Sequence, residues 1–278
     1  MNNDKEYDVV IIKDEHDSSQ NYSNNDKYRS LNEAINYDYD FSISDILSKA
    51  WGMVDGSKLP VFITTFLVSI LATTVAYLGQ YIASLVSNIT ILSTAIEMIF
   101  NGISSIFIIA VIIVVLKLAN REKINTASIF NLFSQYWLPM LVISIVMSIL
   151  ITIGVILLII PGIYLAVAYS LVYWILVIHP KESFWNILEA SRKIVTRHWF
   201  KFFIINLIFF LIPTIIALII WLILSLFGFS MMALLYVPST FMIISIALIV
   251  IIPFIASLWI LPFYSLSYAL IFKKIFEK

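Results

Sequence analysis

"IIPGIYLAVAYSLVYWILVIHPK", Ile159 to Lys181, decides the fold. It lies in a stretch with no Asp, Glu, Lys or Arg from Trp137 to His179, interrupted by Pro161 and Gly162. From Trp137 to Ile160 there are 24 residues, enough for one crossing of a hydrocarbon core of about 30 Å, and from Gly162 only 17 remain before His179. Pro161 is expected to end one helix and Gly162 to supply the freedom to reverse, giving a structural turn between two membrane spans. The alternative is an unwound segment of the kind transporters use.

Composition extends the same reading to the whole chain. Of 278 residues, 61% are hydrophobic and 12% charged, and the mean hydropathy is +0.98, far from the balance of soluble domains. The chain has no cysteine, which excludes disulfides, thiol catalysis and thiolate metal sites. Its three histidines, His16, His179 and His198, have no metal-ligand spacing. No cofactor, metal ion or nucleic acid is expected.

The net charge of zero hides a split. Residues 1–45 hold eleven carboxylates against four cations, which leaves −7 there and +7 in the remainder. With few basic residues and no apolar core, this leader is neither a signal nor a transit peptide. Its Asn, Asp and Ser content predicts disorder over residues 1–40, ahead of a membrane domain at 41–278.

Six segments are long and apolar enough to span: 59–86, 95–119, 137–160, 162–178, 199–227 and 237–272. None shows the alternation of a barrel strand, so the fold class is all-α, a polytopic bundle of three hairpins. The last segment carries Pro253 and Pro262 and reads as one kinked helix or two short ones. Charge decides for one. With six spans, all thirteen cations beyond the leader fall on one side, and a seventh would send Lys273, Lys274 and Lys278 to the other. The positive-inside rule makes that side the cytoplasm, with both termini there.

The loops on that side carry amphipathic patterns. Ile43, Ile46, Leu47, Ala50, Trp51 and Val54 recur at helical spacing, 124–137 does so weakly, and 182–198 does so strongly. Each is expected to lie flat at the membrane surface. Lys181, Arg192, Lys193, Arg197 and Lys201 would then meet anionic inner-leaflet head groups, making membrane lipids the expected partner. The acidic leader would dock on this basic face.

The run from 159 to 212 carries Pro161, Gly162, Ile163, Ala190, Ser191, Arg192, Lys193 and Trp199. In that pattern it resembles the YciC-like bacterial inner-membrane proteins, and it is similar to the membrane domain of some glycerophosphodiester phosphodiesterases. The resemblance implies a six-span bacterial inner-membrane protein with no catalytic residue among these positions. No phosphodiesterase domain accompanies it, so head-group hydrolysis is not implied.

Polar side chains inside spans are the remaining candidates, because burying them in lipid is costly. They are Gln80, Glu97, Asn101 and Asn206. Glu97 suits a wet helix start and Asn206 an interhelical hydrogen bond, while a polar channel lined by all four would promote a transporter. No catalytic constellation can be assembled. The reading is a non-enzymatic membrane protein that binds or organises lipid, with a transporter of a small apolar or zwitterionic solute as the alternative.

Overall fold

A computed structural model describes residues 27–120, 133–233 and 239–278. The leader up to residue 26 and most of the 124–137 amphipathic segment lie outside these described residues. The helices are α1 (Leu31–Asn36), α2 (Ile43–Leu85), α3 (Thr90–Ser105), α4 (Phe107–Ala119), α5 (Phe133–Leu157), α6 (Ile159–Ala168), α7 (Val172–Ile178), α8 (Phe184–Arg197), α9 (Trp199–Ala233) and α10 (Ser239–Phe276). They supply six helical stretches long and apolar enough to cross a membrane, with α3–α4 and α6–α7 each forming one. The protein is an all-α polytopic membrane protein.

The spans pair as hairpins: α2 with α3–α4, α5 with α6–α7, and α9 with α10. The last span is a single helix that runs through Pro253 and Pro262. Its 38 residues make about 57 Å of helix, against about 30 Å of hydrocarbon.

The fold corrects the expected turn. The chain reverses at Leu158, which is extended (φ −163°, ψ 144°), and Pro161 and Gly162 sit inside the first turn of α6. Proline is tolerated there because first-turn N–H groups have no helical acceptor. Gly162 is required for proximity, not for reversal: a Cβ on it would stand 2.8 Å from the Val155 nitrogen on α5.

A real break lies further on, at Tyr169–Leu171 between α6 and α7. Val172 N–H bonds to the Tyr169 carbonyl, three residues back. The Ala168 carbonyl accepts instead from the buried Ser191 hydroxyl of α8, at 2.8 Å. A side chain from another helix thus replaces the backbone donor that the break removes.

The core sits at the basic end of the bundle. Val172 and Trp174 to Ile178 of α7 are all buried there, enclosed by α4, α8 and the last turns of α10, where Phe272, Ile275 and Phe276 are fully buried. Residues at the opposite end stay open, with Ile156 to Ile160 between 67% and 79% exposed. The bundle is keyed at one end and lipid-facing at the other.

Two amphipathic segments turn their apolar faces to protein. Residues 43–54 continue directly into the first span as part of α2, through Pro60. Ile46, Ala50 and Val54 are buried in the core, and Trp51, Lys58 and Phe62 meet Phe263, Trp259 and Phe254 along antiparallel α10. The apolar face of α8 (Ile187, Leu188, Ala190, Ile194, Val195) likewise packs on protein and not on lipid. Helical periodicity reports that a face is covered, not by what.

The leader is folded from residue 27 onward, which corrects the disorder expected to residue 40. Ser30 and Glu33 close a capping box on α1. Leu31, Ala34, Tyr39 and Phe41 are buried. Arg29 N–H donates to the Phe276 carbonyl at 2.7 Å and Lys278 N–H to the Lys27 carbonyl at 3.0 Å, tying this strap to the end of α10.

Candidate functional site

Two features compete for function: the basic end under the strap, and a cleft between α9 and α10.

At the basic end, the cations expected to meet lipid have protein partners. Arg192 donates to Glu189 through Nε and Nη2, both at 2.7 Å, and Lys193 lies 3.5 Å from the same carboxylate. This fork holds the Glu189 carboxyl below its usual range and raises the Arg192 guanidinium. Arg197 donates to the strap carbonyls of Tyr37 and Ile35 at 2.7 and 2.6 Å. Lys201 pairs with Asp40 and donates to the Phe41 carbonyl at 2.8 Å, and this ammonium is the main reason the Asp40 carboxyl is lowered. Lys181 and Lys193 remain exposed.

The strap is held at both ends by histidine. His179 Nε2–H donates to the Arg29 carbonyl at 3.0 Å, and His198 Nε2–H to the Tyr39 carbonyl at 2.6 Å. Partial burial lowers the pKa of the His179 imidazole. Tyr39 donates to the Ile194 carbonyl of α8 at 2.7 Å, and burial raises its phenol. Docking of the strap, residues 27–41, on the basic face rests more on buried rings and backbone carbonyls than on charge pairing.

The four intramembrane polar residues do not converge. Gln80, Glu97 and Asn101 are exposed at the end of the bundle opposite the strap, on α2 and α3, whose contact is set by Gly79 against Phe100. Asn206 lies near the basic end of α9. Its Nδ2 donates to the Phe202 carbonyl at 2.9 Å and to the Tyr268 hydroxyl at 2.6 Å. A channel lined by all four is not formed.

Asn206 instead closes one end of a cavity of about 620 Å³ between α9 and α10. Its walls are Phe209, Phe210, Pro213, Ile216 and Ala217 on one helix and Pro253, Ala256, Ser257, Ile260, Leu261 and Tyr264 on the other. Pro213 and Pro253 line it from opposite helices, and each removes one N–H from its helix. Phe209 packs edge-on to Phe263 and Tyr264 near the basic end, centroids 5.0 Å apart in both pairs. Phe210, Pro213 and Pro253 are exposed, so the cavity opens sideways to the bilayer.

Sequence reasoning missed this cleft. The signal available was a proline within each of two adjacent long spans, together with the small residues Ala217 and Ala256. Compared with family models, curated proteins and solved structures, the chain matches none.

Proposed function

We propose that this is a non-enzymatic, lipid-binding protein of a bacterial inner membrane, with both termini cytoplasmic. The α9–α10 cavity carries the proposal. It is apolar along its walls, open to the bilayer and of a size for a hydrocarbon chain. The exposed Lys181 and Lys193 are the cations assigned to anionic head groups, at about 1 kcal/mol each near a charged surface. Arg192, Arg197 and Lys201 brace Glu189 and the strap. The resemblance of residues 159–212 to YciC-like proteins supports the bacterial setting, and the one-sided placement of cations supports the orientation.

A second reading, transport of a small apolar or zwitterionic solute, draws on the break at Tyr169–Leu171, where Ser170 adjoins the Tyr268 hydroxyl at the polar end of the cavity. The dispersed Gln80, Glu97 and Asn101 weigh against it, because they provide no polar route to that end.

A phospholipid with a photoreactive group on its acyl chain tests the first reading in nanodiscs. Crosslinks are expected to concentrate on α9 and α10 around Ile216 and Ile260 and to disappear when Ala217→Trp and Ala256→Trp fill the cavity. Crosslinks spread evenly over all exposed spans, unchanged in the double variant, would remove lipid binding at this site.

A further inference from the structure

The cleft has a chemical end as well as apolar walls, and Asn206 determines what that end offers. The Phe202 carbonyl can only accept, so the amide atom 2.9 Å from it is the nitrogen. Its second proton goes to the Tyr268 hydroxyl at 2.6 Å. With both donors spent, Asn206 brings an acceptor oxygen to the cavity it lines. Ser257 on the facing helix donates its proton to the Phe254 carbonyl at 2.7 Å, leaving acceptor lone pairs. The Tyr264 hydroxyl is engaged with that of Tyr268.

No Lys, Arg or His lines this cavity among the described residues. A phosphate or carboxylate would enter a low-dielectric site without a counter-charge, at a large desolvation cost. A neutral group that donates a hydrogen bond is what this end accommodates.

Depth narrows the ligand further. Asn206 is five residues past Lys201 on α9, about 7 Å along the axis, which places it just beneath the charged end. The cavity extends from there to Ala217, about 16 Å further along the helix. That is about half of a 30 Å hydrocarbon core, the depth that one acyl chain fills in its leaflet.

Building on the lipid-binding reading, we infer that the cleft receives one acyl chain of an uncharged, hydroxyl-bearing lipid of the diacylglycerol type. Its free hydroxyl donates to Asn206 Oδ1 while its second chain stays in the bilayer.

The discriminating probe pair is dioleoylglycerol and its methyl ether, which differ only in the donor proton. Each is doped into phosphatidylcholine nanodiscs holding the full chain, with bound lipid counted by native mass spectrometry. The alcohol is expected to bind about threefold to tenfold more tightly than the ether, the worth of one hydrogen bond. Asn206→Leu is expected to bring the two to parity. Because Asn206 also holds Phe202 and Tyr268, Ser257→Ala is the companion variant, with a smaller loss of preference expected. Equal binding of alcohol and ether by the unaltered protein, or tighter binding of phosphatidic acid than of either, would overturn the assignment of the ligand. Neither result touches the lipid-binding reading, which fails instead if filling the cavity with Ala217→Trp and Ala256→Trp leaves occupancy by every lipid unchanged.

Discussion

Gly154 and Gly162 meet backbone to backbone. A Cβ on Gly154 would stand 3.1 Å from the Gly162 Cα, and one on Gly162 would stand 2.3 Å from Val155 Cγ2. Contact this close lets α5 and α6 reverse through the single residue Leu158. Small residues at membrane helix contacts permit such approach, and the gain is van der Waals packing.

Gly162→Val should therefore push the hairpin apart, at a cost of about 1–3 kcal/mol from overpacking. A lower midpoint of thermal unfolding in detergent would register this. Ile163→Val, at an exposed neighbour, should leave the midpoint unchanged.

Ser191→Ala should cost about 1–3 kcal/mol, because it leaves the Ala168 carbonyl without a donor inside the core. The loss should appear as faster amide exchange across residues 168–178. Ser191→Thr keeps the hydroxyl and should restore part of the protection.

Acidification should loosen the strap. His179 is half-buried beside the Phe276 ring, with Glu182 as the carboxylate that opposes its neutral form and the Arg29 carbonyl as its acceptor. Its folded pKa lies below the unfolded value of about 6.5, so the unfolded state binds protons first as pH falls. The stability is fully present above about pH 6.5 and is lost below it. Proteolysis of residues 27–41 in nanodiscs should accelerate from pH 8 to pH 5.5, and His179→Gln, which keeps an N–H donor, should flatten that dependence.

Orientation is open to direct labelling, since the chain has no native cysteine. Asn88→Cys, in the turn between α2 and α3, should react with an impermeant maleimide from outside the cell. Lys181→Cys should react only after the membrane is opened. Labelling of both from one side would reject six spans.

Span number, helical class and the single last helix were legible in the sequence, because lipid imposes a length and charge imposes a side. The position of the reversal was not. Pro161 and Gly162 punctuate the sequence, yet proline fits within the first turn of a helix, and the need for Gly162 arises only once Gly154 and Val155 lie against it. The amphipathic faces of 43–54 and 182–198 were legible as faces, but hydrophobic spacing is the same whether lipid or α7 covers it. Leu31, Ala34, Tyr39 and Phe41 are too sparse to stand out in an acidic stretch, so the strap was read as disordered. The cleft is lined from two spans, residues 206–217 and 253–264, and becomes visible only when α9 and α10 are brought side by side.

The packed basic end has a mechanical consequence. Where bilayer thickness varies, a bundle tied throughout its length must tilt as a unit, but this one has its ties near one surface. The lipid-exposed half of α9 can lean and take up the mismatch, at a fraction of a kcal/mol per Å, while Phe272, Phe276 and the strap keep their register. The protein would hold one leaflet as a fixed anchor and follow the other as a compliant one.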